Sequence, residues 1–436
     1  MDVDTFIHTA LKLDEQNIKG KIFKVLNLSV PSLMGVFIFF TPFPHTTAIK
    51  EICFYLSILI VLLLIYFKKI DFSFSLPFTL PFALFVAWVL IGLFFALDKA
   101  NSLHDFRAHL LKYLVIYYIL VNFFSCRKRL AILSWLIIIS AAVFSIGGLT
   151  YFYFTLKNPI STRFGFSHLM NIDLIGFVTI FAFLLSLHQF KLEHRLHRKS
   201  ILAACSLGTL LATYLTMSKG SLLALSAALM VFYVKRHKLL VILLIIFSLI
   251  AVITIPALKA RFSPHLIFKD IRIGINLTTL EIIKAYPITG IGFGMETYGN
   301  IDLTKYNAKI PSQYQQGTPV RSPHNSLADI AVRTGIVGLA LFLFVYFVFL
   351  RLSWKLIRYG KDDFIINWGC CIMAAFISVF IQGLFADGMF GVQAIVLYTI
   401  FAIMTILWQL NAQTNTIITP PRSETTVEPK KEFNCI

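Results

Sequence analysis

Arg321-Ser322-Pro323-His324-Asn325-Ser326-Leu327-Ala328, followed by Arg333-Thr334-Gly335-Ile336-Val337-Gly338-Leu339 and an apolar run to about residue 350, decides how this chain is read. A polar, proline-bearing segment passes there into a helix long enough to cross a bilayer. Behind it, residues 258–325 interrupt a series of apolar runs that fills almost all the rest. The chain has 436 residues, 58% of them hydrophobic and only 14% charged. No soluble core hides that much apolar surface. The runs are roughly 17–25 residues long, the length needed to span hydrocarbon. Backbone polar groups inside a bilayer must be satisfied within the segment, so the spans are expected to be helices. Their apolarity is continuous rather than alternating, which excludes a β-barrel.

Spans are expected near residues 25–43, 50–67, 78–97, 109–125, 130–154, 170–188, 200–217, 221–234, 239–257, 326–350, 364–385 and 391–410. The fold class is thus an all-α polytopic membrane protein of about twelve transmembrane helices. One large external loop, 258–325, separates helices 9 and 10. Residues 1–24 are polar and mixed in charge, so the first apolar run reads as a retained span. Residues 411–436 are rich in Thr, Pro, Glu and Lys and read as a disordered tail.

Basic residues mark the cytoplasmic side. Lys68/Lys69, Arg127/Lys128/Arg129, Lys191/Arg195/Arg198/Lys199, Lys235/Arg236/Lys238 and Arg351/Lys355/Arg358/Lys361 fall in one alternating set of loops, together with the N-terminal lysines. Both termini are then cytoplasmic. Much of the net charge of +18 serves topology and headgroup contact, not nucleic-acid binding. The six cysteines, none in the large loop, read as packing residues without a disulfide framework.

Chemistry is expected at the external face. Residues 271–286 have helical spacing and stop at Pro287. Gly290-Ile291-Gly292-Phe293-Gly294 then reads as a turn needing positive φ, not a dinucleotide fingerprint, because no strand precedes it. Thr216-Met217-Ser218-Lys219-Gly220-Ser221 forms a short external turn, and its lysine either snorkels or meets an anion. His324 is the natural proton acceptor near neutral pH. Arg321, three residues before it, places a cation within reach. Asn325 either orients His324 or binds substrate. Arg107, at the mouth of the fourth span, and Arg163, before Phe164-Gly165, are further external cations. Asp270, Glu281, Glu296 and Asp302 are dispersed, with no metal-binding cluster among them.

The ordered set Ser218-Lys219-Gly220, Arg272, Pro287 to Gly294, His324-Asn325-Ser326-Leu327-Ala328 and Gly335-Ile336-Val337-Gly338-Leu339 resembles the O-antigen ligase/O-antigen polymerase superfamily across about residues 200–350. Lys219 stands where that family usually has arginine. The resemblance implies a fold like that of the C-type glycosyltransferases, in the bacterial inner membrane with a periplasmic site. It implies a donor glycan on undecaprenyl diphosphate and, for a ligase, lipid A–core as acceptor, with no cofactor and no metal. His324 would be the catalytic base; Lys219, Arg272 and Arg321 would hold the diphosphate, with Arg163, Asn325 and Arg107 as further binding residues. A single large loop favours ligase over polymerase. A transporter or flippase is the alternative of another class, and it would require mid-membrane charges and repeated halves.

Overall fold

The computed structural model describes residues 3–165, 172–233, 246 and 271–418. The expected span at 239–257, loop residues 258–270, His168 and the tail beyond residue 418 lie outside the described residues. Before the break come α1 (Val3–Phe40), α2 (Thr47–Tyr66), α3 (Thr79–Phe95), α4 (Lys99–Asp105), α5 (Lys112–Phe123), α6 (Arg127–Leu149), α7 (Ile172–Leu192), α8 (Leu196–Leu215) and α9 (Lys219–Tyr233). After it come α10 (Ile271–Ala285), the short α11 (Thr297–Asn300) and α12 (Leu303–Asn307), then α13 (Ser326–Tyr359), α14 (Asp363–Gly383) and α15 (Gly391–Ile418). Single π-helical turns, Phe106–Leu111 and Thr150–Thr155, precede α5 and follow α6.

The protein is an all-α polytopic membrane protein. Among the described residues, seven helices are long and apolar enough to cross a membrane: Gly20–Phe40, Thr47–Tyr66, Arg127–Thr155, Leu174–Leu192, Ser326–Tyr359, Asp363–Gly383 and Gly391–Gln413. The helices α3 and α9 are apolar but shorter. Among the described residues, each expected span outside 239–257 overlaps a helix. Among the described residues, Cys53, Cys205, Cys370 and Cys371 are free.

Large leucine, isoleucine and tyrosine side chains of α2, such as Ile52, Tyr55, Leu59 and Leu62, point outward, as a lipid-facing helix requires. Inside, aromatic rings interlock. Phe349 stacks on Phe376 with centroids 4.2 Å apart, and Phe78 stacks on Phe401 at 5.2 Å. Between helices, short polar side chains pair, as Tyr117 does with Thr405 (2.9 Å) and Thr179 with Thr213 (2.7 Å). Such bonds help hold helices together where the solvent is itself apolar.

The most consequential local feature is a break inside α13. Gly335 has φ +71° and ψ −178°, so the helical ladder opens there. The chain from Pro287 to Gly292 fills the gap. Ile291 N–H donates to the Val332 carbonyl (2.9 Å), Gly292 N–H to that of Arg333 (3.1 Å), and Ile336 N–H to that of Pro287 (2.8 Å). The Trp88 indole donates to the Thr334 carbonyl at 2.8 Å. The approach is so close that a Cβ on Gly335 would collide with the Ile288 carbonyl, and one on Gly290 with the backbone of Arg333. Both glycines have positive φ, so a side chain there is excluded twice over. Gly335→Ala should therefore cost roughly 1–3 kcal/mol or more, read as a lower thermal midpoint in detergent. Gly147→Ala, where a Cβ meets nothing within 4 Å, should leave the midpoint unchanged or raised.

Candidate active site

Segments far apart in sequence meet on residues 384–390, the connection between α14 and α15. This connection is pinned at several points. Ser326 Oγ donates to the Ala386 carbonyl at 2.9 Å. A Cβ on Gly220 would meet Phe385 Cβ at 2.9 Å, and one on Gly383 would meet Ser326 Oγ at 2.8 Å. These glycines let α9 and the start of α13 close directly onto the connection.

His324 sits against Asp387. The carboxylate accepts the His324 backbone N–H at 2.9 Å and the Ser322 hydroxyl, and its second oxygen lies 3.8 Å from His324 Nδ1. Both side chains keep about 30% exposure, 29% and 31%, so the imidazole stays open to a substrate. His324 has φ +49°, a conformation that costs a non-glycine residue energy and recurs at functional positions. Sequence reasoning missed Asp387. The signal was present: it is the sole acidic residue between Asp363 and Glu424, and it follows an apolar span.

Arg272 and the start of α9, which carries Lys219, reach the same connection. Lys219 is the first residue of α9, half-buried, and its neighbour Gly220 touches Phe385. The turn before it is built by Met217 at φ +48° and by Ser218, whose hydroxyl accepts from Ser221 N at 3.4 Å. The Arg272 guanidinium stands 5.7 Å from the Phe385 ring centroid. Arg163 lies beside this turn, its Nε donating to the Thr216 carbonyl at 3.0 Å.

The other expected residues fall differently. Asn325 caps α13: its Oδ1 accepts from Leu327 N (3.0 Å) and Ala328 N (3.2 Å). That bond occupies the acceptor that would have oriented His324 and supplies the ordinary start of a helix. Arg321 is exposed, with its stem lying over Gly299, where an added Cβ would be 3.1 Å from Arg321 Cβ. Arg107 is exposed on the π-helical turn. Of the dispersed acids, Glu281 pairs with Lys284 at 2.6 Å and Asp302 caps α12 through Thr304 N at 3.1 Å.

A buried pair braces this arrangement from behind. Arg333, 4% exposed, binds Asp329 through Nε at 2.5 Å, and its remaining nitrogens donate to the carbonyls of Gly294 and Met295. Its guanidinium also covers Phe390 at 5.0 Å. From the other side, the Asp98–Asp105 segment holds the glycine turn. Ser102 Oγ accepts from Gly294 N (3.2 Å), Asn101 Oδ1 from Glu296 N (3.2 Å) and Asp105 Oδ2 from Met295 N (2.5 Å).

Residues 201–343 match the family model described as O-antigen ligase. The match supports the O-antigen ligase/polymerase superfamily for this chain, as the ordered motifs do. It spans Lys219, Arg272, Arg321 and His324, while Arg107, Arg163 and Asp387 lie outside it. No curated protein matches the chain.

In the large loop, Tyr298 is 1% exposed and its phenol pairs with Thr279 at 2.8 Å. Burial pushes its pKa up to about 12, above the ordinary phenol value of about 10. A raised folded-state value means the neutral form is favoured by folding. The associated stability is complete below about pH 10 and is lost as pH rises toward 12. Ultraviolet difference titration should show one tyrosine ionising late relative to Tyr298→Phe, and that variant should flatten the alkaline loss of loop protection.

Proposed function

We propose that the chain is an O-antigen ligase, moving a glycan from undecaprenyl diphosphate to lipid A–core at the periplasmic face of the inner membrane. One observation carries this reading: His324 lies against Asp387 and Arg272 over Phe385 on one connection, residues 384–390, on which Gly220, the neighbour of Lys219, also packs, with the histidine and both cations inside the family match.

The chemistry follows from those groups. An acceptor hydroxyl attacks the anomeric carbon, the bond from that carbon to the diphosphate oxygen breaks, and the proton passes to His324. With Nδ1 facing Asp387, Nε2 is the nitrogen left for the hydroxyl. The imidazolium that forms is stabilised by the carboxylate, as a base oriented by a third group requires. The diphosphate leaves as an anion and needs no strong acid. Lys219 and Arg272 supply fixed positive charge in a half-buried site, where such charge acts more strongly than in water. Lysine at position 219 keeps the charge but loses bidentate geometry. Arg163, beside the turn that carries Lys219, is a third cation for the donor. Arg321, on the exposed rim, is placed to meet a charged glycan or acceptor. The proposal places both termini in the cytoplasm.

The transporter reading loses its best candidate charges, because Arg333 and Asp329 are committed to each other and to the glycine turn. A polymerase of the same superfamily would use the same groups, and the acceptor alone separates it from a ligase.

Gene deletion in the host, with lipopolysaccharide resolved on a gel, tests the proposal. Bare core, with polymer accumulating on the lipid carrier, is the result expected. Core bearing a single repeat unit would point to a polymerase, and an unchanged ladder would sink both. Among purified variants, His324→Ala should lose roughly 10²–10⁴-fold in transfer rate while still folding. Arg272→Lys should retain more activity than Arg272→Ala. Lys219→Arg should keep or improve activity, and a dead Lys219→Arg enzyme would remove the phosphate role at that position.

A further inference from the structure

Behind the proposed centre lies a second polar chain that the reaction above does not use. Asp105 is 3% exposed, at the end of α4. Its carboxylate accepts from Met295 N, lies 2.9 Å from His104 Nδ1 and lies 3.6 Å from His109 Nε2. His109 Nδ1 is 3.0 Å from the hydroxyl of Tyr113, which is 3% exposed. That hydroxyl accepts the Gly391 N–H at 2.7 Å. The His109 ring packs edge-on against Phe390, with centroids 5.2 Å apart. Phe390 in turn packs on Phe293, at 5.4 Å, and beneath Arg333.

The hydrogens of this chain can be counted. The Tyr113 oxygen takes the Gly391 proton, so its own O–H is left to donate, and His109 Nδ1 is the acceptor in reach. The His109 proton then sits on Nε2, facing Asp105. One tautomer suits the bonds at Tyr113 and leaves the Nε2 proton directed at the Asp105 carboxylate 3.6 Å away. Gly391 has φ +74° and ends the connection that carries Asp387. The π-helical turn Phe106–Leu111 lies between Asp105 and Tyr113, and such turns recur at functional sites.

We infer that His109 and Tyr113 are positioning residues for glycan transfer: they tie the glycine turn of the large loop to the connection between α14 and α15, and so hold Asp387 where it grips His324. The inference rests on the transfer reading above. Neither residue touches the reacting atoms. They act through the Gly391 amide on the far end of the segment that Ser326 and Gly220 pin from the other side.

A matched control lies one helical turn along. Tyr117 is also buried, also hydroxyl-bonded, but to Thr405 on α15, with no link to residues 384–391. A purely structural role would make the two tyrosines equivalent.

The test uses the full chain in nanodiscs, with an undecaprenyl diphosphate-linked glycan as donor and purified lipid A–core as acceptor. Amide exchange of peptides covering residues 384–391 is followed in the same preparations. Tyr113→Phe should lower kcat roughly tenfold at unchanged donor KM and speed exchange in that segment. Tyr117→Phe should do neither. His109→Asn, whose side-chain oxygen can stand in for Nδ1, should rescue most of the rate, whereas His109→Phe should not. The double variant His109→Phe/Tyr113→Phe should be no worse than either single one, as expected of one coupled unit. Wild-type kcat in Tyr113→Phe, an equal loss in Tyr117→Phe, or unchanged exchange would each overturn the inference. A wild-type protein that transfers nothing would instead bring down the transfer reading, and the positioning role with it. The exchange contrast between Tyr113→Phe and Tyr117→Phe would still report whether the tie itself exists.

Discussion

A helix that opens inside an apolar bundle must find partners for the backbone groups it frees, because no bulk water is there to take them. In this protein α13 opens at Gly335, and the carbonyls of Val332, Arg333 and Thr334 are answered by Ile291, Gly292 and Trp88. The partner for Ile336 N–H is Pro287. The glycine turn of the large loop is therefore structural before it is anything else: it completes the helix. Because α13 begins at the His324-Asn325 corner, the same contact sets where the proposed base stands. A loop that would otherwise be free to move becomes part of the bundle end.

The buried Arg333 extends this logic. An uncompensated guanidinium at 4% exposure would be costly, and each of its nitrogens has an acceptor: Asp329, Gly294 or Met295. Removing one partner would strand a charge, so the pair locks the glycine turn and α13 together more firmly than it adds net stability. Phe390, under that guanidinium, carries the constraint on to the connection with Asp387. The bundle end is thus a closed circuit of short contacts, with glycines wherever two backbones touch.

The sequence made the apolar spans, the helix stop at Pro287 and the demand for positive φ at Gly290 and Gly292 legible, because each depends on local length, ring chemistry or a missing Cβ. It did not reveal what the glycine turn touches, since Ile291 and Val332 are brought together only by the tertiary fold. Asn325 illustrates a second limit. An Asn next to a histidine before an apolar run reads as a partner of the histidine or of a substrate, and its bonds to Leu327 N and Ala328 N come into view only in the fold. Arg321 stands three residues before His324, and spacing did not reveal that its stem lies over Gly299. Asp387 was missed because its role needs α14 and α15 to bring it beneath His324. Its isolation among apolar residues was the available hint.

The charge balance at residues 384–390 bears on why a carboxylate is tolerated where an anionic substrate is proposed. Asp387 spends its oxygens on the His324 N–H, the Ser322 hydroxyl and the imidazole edge. Among the described residues, Arg272 stands over Phe385, Gly220 beside Lys219 packs on the same ring, and Arg163 binds the turn before Lys219. Glu281 and Asp302 are engaged elsewhere, with Lys284 and with the start of α12. In the proposed reaction the carboxylate faces the histidine while Arg272, and Lys219 on the adjoining turn, would meet the leaving group, so the acid and the cations serve different partners around one short connection.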